Sequence, residues 1–114
     1  MEAVLTSTKV LSEEIRLRIL LLLVDREACV CELMAVFAMA QSKLSHHLIA
    51  LRDAGFLRDT KRGKWNYYKV PVNSLNGVNR ELFGSISRLL ADDATMRDDR
   101  ASLTKVQRAM KICC

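Results

Sequence analysis

The chain has 114 residues and a mass of 12.9 kDa, half of it hydrophobic and 27% charged, which fits one packed domain and argues against disorder for most of its length. One proline and four glycines are too few for the turns of a sandwich or barrel, and the longest apolar run, Ile19 to Val24, is far short of the roughly twenty residues a membrane span needs. The net charge of +5 lies wholly between Gln41 and Val70, where seven basic residues face Asp53 and Asp59, while the remainder holds eleven of each sign.

Residues 2–10 can form a short first helix. Residues 12–25 read as a capped helix, with Ser12 as N-cap, Glu13 and Glu14 at the positive end of the dipole, and a wide stripe through Ile15, Ile19, Leu22 and Leu23. A helix over roughly 30–39 puts Val30, Leu33, Met34 and Phe37 on one face. After the short joint Ala40-Gln41-Ser42, a third runs from about Gln41 to Ala54, with Leu44, Leu48 and Leu51 inward. Gly55 suits a left-handed helix stop. The period then changes: 56–60 and 65–70 read as two strands around Lys61-Arg62-Gly63-Lys64, whose glycine permits a hairpin loop. A long helix follows from Ser74 or Asn76 to Ala91. Beyond Asp92 the chain is polar and charged, and a mobile or weakly helical tail is expected.

Two short helices joined tightly and followed by a basic two-stranded ribbon make a winged helix-turn-helix, mainly α with a small β-hairpin. In that arrangement the second helix enters the major groove. Its outward face offers Gln41, Ser42, Lys43, Ser45 and His46, with Ile49 or Arg52 beyond; glutamine can bond adenine bidentately, and serine and histidine can reach base edges or phosphates. The hairpin tip, Lys61, Arg62 and Lys64, can lie along the backbone or dip into a minor groove. An amphipathic helix with a polar outside and a solvated basic ribbon would look the same one at a time; their adjacency favours DNA. Trp65, Tyr67 and Tyr68 are assigned to sheet packing, and His47 to a hydrogen-bonded scaffold role.

The cysteines form two close pairs, Cys29/Cys31 and Cys113/Cys114. Glu2 stands where a signal peptide would be basic, so a cytoplasmic chain is expected, in which such pairs point to metal or redox chemistry rather than a disulfide framework. Residues two apart on a regular helix point about 200° apart. Cys29 and Cys31 can therefore grip one ion only if Cys29 precedes the first turn or the turn distorts. A helix start also favours the thiolate. Otherwise the pair simply fills space beside Leu33 and Phe37. Cys113 and Cys114 should be exposed; they complete the first pair's site, form their own, or are incidental.

Cys29-Val30-Cys31-Glu32-Leu33, Gln41-Ser42-Lys43-Leu44-Ser45-His46-His47-Leu48, Leu51-Arg52-Asp53-Ala54-Gly55-Phe56-Leu57 and Arg62-Gly63-Lys64-Trp65 with Tyr68, together with Arg16-Leu17-Arg18-Ile19-Leu20, resemble the arsenical-resistance repressor (ArsR/SmtB) family of bacterial metal sensors over roughly residues 8–70. The resemblance implies a homodimer on double-stranded operator DNA, released when trivalent arsenic or antimony binds the cysteine box. It implies no organic cofactor and no enzyme activity. Met34 stands where some arsenic-sensing members carry a third cysteine, so the two-thiol box suffices or Cys113 or Cys114 supplies the third sulfur, from either subunit. Residues 1–28 lack the extra cysteines of cadmium- and lead-sensing relatives. The expected organisation is a DNA-binding and dimerisation domain over 1–92, with the long helix and the N-terminal segment making the helical dimer interface, and a charged tail over 93–114. Alternatives are a thiol redox sensor or a cadmium/lead sensor on the same scaffold, and remotely a small thiol-exchange or metal-binding protein.

Overall fold

In the computed structural model, which describes residues 1–110, six helices surround a small antiparallel sheet. Helix α1 spans Glu2–Val10 and α2 Glu14–Leu22. The cap of α2 is Glu13 rather than the expected Ser12, because the Ser12 hydroxyl turns back to donate to the Lys9 carbonyl at 2.7 Å. Strand β1, Ala28–Cys29, leads directly into α3, Val30–Phe37. A turn through Ala38, in the left-handed conformation at φ 49° and ψ 49°, joins α3 to α4, Gln41–Asp53. Strands β2 (Arg58–Arg62) and β3 (Trp65–Lys69) make the hairpin. Helices α5 (Gly77–Leu89) and α6 (Ala94–Ala109) complete the chain.

The order of strands is β1-β3-β2. Arg62 opposes Trp65, leaving Gly63-Lys64 as a two-residue loop with Gly63 at φ 61°, the first-position glycine that type II′ turns use. The ribbon is thus longer at its basic tip than the pattern implied, since Lys61 and Arg62 belong to β2. It also gains a third strand: Ala28 pairs with Tyr68 and Cys29 with Tyr67. A two-residue strand has no period to read.

The core is built where the stripes predict it. Ile19, Leu33, Leu44, Leu48, Leu51 and Phe56 are fully buried, and each contributes on the order of 2 kcal/mol of apolar burial. Gly55, at φ +87°, closes α4 against Asn79, whose Nδ2 donates to the Ala54 carbonyl at 2.8 Å while its Oδ1 accepts from the Ser7 hydroxyl at 2.6 Å. A Cβ on residue 55 would stand 3.2 Å from that Nδ2.

The expectation of a mobile or weakly helical segment after Asp92 is corrected by α6. Asp93 caps it by accepting from the Met96 N–H at 3.1 Å. Met96, Asp99 and Leu103 then form a buried stripe at spacings of three and four, packed against α2 and α3. The stripe escaped notice because its middle member is an acid.

Candidate nucleic-acid interface and thiol site

Helix α4 buries Leu44, Leu48 and Leu51 completely, and this orients the opposite face outward. Gln41, Ser42, Lys43 and His46 are exposed and Ser45 is half-buried. The N-cap is Ala40, whose side chain cannot accept a hydrogen bond, so among the described residues the N–H groups of the first turn carry no side-chain cap. Unclaimed backbone donors at a helix start, flanked by Lys43 and short polar side chains, are chemically suited to a phosphate.

His47 sits on the inner side and accepts a hydrogen bond at Nδ1 from the Arg16 Nε at 3.0 Å. Arg16 is itself buried, and its guanidinium also pairs with Glu13 at 3.1 Å. Burial first, then the neighbouring Arg16 charge, holds the His47 imidazole below the ordinary value of 6.5, which keeps it a neutral acceptor. The scaffold role read for His47 is what the geometry gives it.

On the ribbon, Lys61, Arg62 and Lys64 are exposed at the tip. Lys64 lies over the Trp65 ring at 5.6 Å and Arg62 over the Tyr67 ring at 5.0 Å. Arg62 also forms a two-pronged ion pair with Glu27. Its guanidinium is therefore turned toward Glu27, a partner 35 residues away that local patterning does not reveal. Tyr68 joins the core, as its packing assignment requires.

Cys29 is at once the last residue of β1 and the N-cap of α3, with extended dihedrals of φ −91° and ψ 169°. Cys29 thus precedes the first turn, which is one of the two conditions the two-residue spacing sets for joint action. Glu32 completes a capping box, its Oε1 accepting from the Cys29 backbone N–H at 3.0 Å. The pattern was visible as Cys-x-x-Glu with sulfur in the usual place of a hydroxyl, and sequence reasoning passed over it. Cys29 is 1% exposed and Cys31 half-buried, and both are disulfide-bonded in this structure.

A cleft of about 220 Å³ is lined by Cys29, Val30 and Cys31, by Gln41 at the start of α4, and by Lys64, Trp65 and Asn66 at the ribbon tip. The first cysteine pair is thus brought against both elements assigned to DNA. Cys113 and Cys114 lie outside the described residues. Among the described residues, no group of three or more His, Cys, Asp and Glu side chains could hold a metal ion, and no helix is long and apolar enough to cross a membrane.

The sequence pattern described as "Bacterial regulatory protein, arsR family" matches residues 13–59. Over 90 residues the chain is 40% identical to the arsenic resistance transcriptional regulator ArsR2 of Pseudomonas putida (strain KT2440), covering 75% of this chain and 78% of that protein. The chain belongs to the ArsR family. It is also 46% identical over 63 residues to the arsenical resistance operon repressor of Escherichia coli K12, a match covering 54% of each, so the chain spans about half the length of that relative. Among solved structures it is similar to HlyU from Vibrio cholerae N16961, with a TM-score of 0.67 and 27% identity over 80% of this chain and 95% of that one. The ArsR-family assignment read from the cysteine box and the α4 motif therefore holds, as does the winged helix-turn-helix architecture. Proteins of this family are transcriptional regulators.

Proposed function

We propose that this ArsR-family chain is a transcriptional repressor that binds operator DNA as a homodimer and releases it when arsenic(III) or antimony(III) is held by cysteine thiolates. The observation that carries the reading is the cleft in which Cys29 and Cys31 meet Gln41 and the ribbon tip. Gln41, Ser42, Lys43, Ser45 and His46 read or flank the major groove, while Lys61, Arg62 and Lys64 neutralise phosphates beside it. The donor set fits a soft, thiophilic centre: two sulfurs on one cleft wall, beside the apolar surfaces of Val30 and Trp65. Bound metalloid would supply strong, directional bonds to sulfur, and capture uses the reduced dithiol form. Drawing Cys31 toward Cys29 strains the first turn of α3 and the β1 pairing with Tyr67. This displaces the ribbon and the start of α4 together. The required bias is a difference in ligand affinity between two forms of the dimer, commonly about 1–3 kcal/mol.

Exposed apolar side chains support dimer formation through α1 and α5. Leu5 is 60% and Leu89 82% exposed, and Val4, Val78 and Leu82 line one groove between the two helices. A two-fold axis there would set the two α4 helices about 34–36 Å apart for successive major grooves. The deciding experiment is operator release by arsenite from wild-type and Cys29→Ser/Cys31→Ser protein. The variant should bind operator normally and no longer release it; continued release overturns the assignment of the inducer site.

A further inference from the structure

The base of the ribbon carries a charge pattern that neither the α4 face nor the cysteine box uses. In the β2–β3 ladder Arg58 stands directly opposite Lys69. Like charges at such a pair repel and weaken a sheet, so the fold gains nothing from placing them there. Among the described residues neither side chain forms an ion pair or a hydrogen bond, whereas nearby Arg52 pairs with Asp53 and Asp59, and Arg62 with Glu27. Along β2, Arg58 lies about 13 Å from Arg62 at the tip.

Both cations line a cleft of about 330 Å³. Its polar lining is completed by Thr60, two residues along β2 from Arg58 and on the same face, and by Asn73 and Ser74. The far wall is the segment from Val70 to Ser74. The Val70 N–H donates to the Leu23 carbonyl at 3.0 Å and the Ser74 N–H to the Pro71 carbonyl at 2.8 Å, which folds this segment into a turn. Pro71 and Val72 give that wall an apolar surface. Glu27 is the one acid in the lining, and Arg62 already neutralises it. Two uncompensated cations, three short hydrogen-bonding side chains and an apolar wall suit a small ligand with a compact anionic group. The apolar wall offers nothing to a bare DNA backbone and favours an organic phosphate.

We propose that this cleft binds the phosphate group of a small organic phosphomonoester. Arg58 and Lys69 take its charge, Thr60, Asn73 and Ser74 donate to its oxygens, and Pro71 and Val72 cover the organic part. An anion between the two cations turns their mutual repulsion into a shared attraction, and so ties β2, β3 and the 70–74 turn together. That turn leads through buried Leu75 into α5. The site is separate from the inducer site proposed above, and its test does not depend on that reading.

The test titrates the full-length protein, free of DNA, with inorganic phosphate and with phenyl phosphate, following the amide NMR signals of Thr60, Asn73 and Ser74 at an ionic strength held constant with chloride. Both probes should shift these signals saturably, and phenyl phosphate should bind more tightly; equal affinity, or no saturable shift, overturns the proposal. Arg58→Gln and Lys69→Gln should each weaken phenyl phosphate binding roughly tenfold, the scale of one charge-assisted hydrogen bond, without lowering the urea midpoint, since each removes a repulsion. Lys105→Gln removes the same charge from exposed α6 surface and should leave the affinity as it is. Equal weakening there would mean attraction by net charge alone and overturns the site. Operator binding by Lys69→Gln should keep its salt slope. A fall of about 0.9, one phosphate contact, would assign the pair to the DNA backbone and overturns the small-ligand reading.

Discussion

Helices α4 and α6 are close in length, thirteen and sixteen residues, and each buries one polar side chain in an otherwise apolar stripe. In α4 it is His47, and in α6 it is Asp99. Both are held by α2, which sends Arg16 to His47 and Arg18 to Asp99. Residues two apart on a helix point in nearly opposite directions, so α2 clamps α4 on one side and α6 on the other. The clamps differ in kind. Arg16 and His47 make a charge-to-neutral hydrogen bond, whereas Arg18 and Asp99 make a two-pronged ion pair that, acting through its hydrogen bond first, raises the Arg18 pKa further above its ordinary value. One α2 helix thus holds α4 and α6 by two separate polar contacts.

The largest effect should come from testing whether the two helices share one core. Leu48 and Leu103 are both fully buried, so Leu48→Ala and Leu103→Ala should each cost about 3 kcal/mol in urea unfolding. A loss below about 0.5 kcal/mol at Leu103 would make α6 an appendage rather than a partner of α4. Asp99→Asn keeps the shape and removes the charge, and should cost about 2 kcal/mol, the scale of a charged hydrogen bond. The equivalent change at the other clamp, His47→Gln, should cost about 1 kcal/mol.

The His47 clamp should also be sensitive to acid. Its folded pKa lies below the unfolded value of 6.5, so between the two the unfolded chain binds the extra proton and stability falls as pH falls. The loss begins near 6.5 and is complete below the folded value. Wild-type unfolding followed from pH 8 to 5 should show this decline, and His47→Gln should lack it. The smallest effect belongs to the ribbon. Lys61→Ala should leave stability unchanged and lower the salt slope of operator binding by about 0.9 for one phosphate contact. Arg62→Ala should lower it less, because Glu27 already engages that guanidinium.

The contrast between α4 and α6 also marks what the amino-acid order made legible. Leucines at 44, 48 and 51 announce α4 and its outward face, and Gly63 between β-forming residues announces the ribbon. Asp99 hides α6, because an acid in a stripe reads as solvent until Arg18, 81 residues away, is known. Strand β1 is too short to carry a period, so the link between Cys29 and Tyr67 was out of reach. The spacing of Cys29 and Cys31 stated the geometric condition for joint action, and only the backbone at Cys29 shows that it is met.

Ala38 gives the joint between α3 and α4 a mechanical character of its own. A side-chain-bearing residue at φ 49° is about 1 kcal/mol less comfortable than glycine would be, so the connection is a loaded spring rather than a slack tether. Rotation that carries Ala38 out of the left-handed well recovers that energy. Under the proposed inducer mechanism, Ala38→Gly should blunt operator release by arsenite while leaving both helices intact.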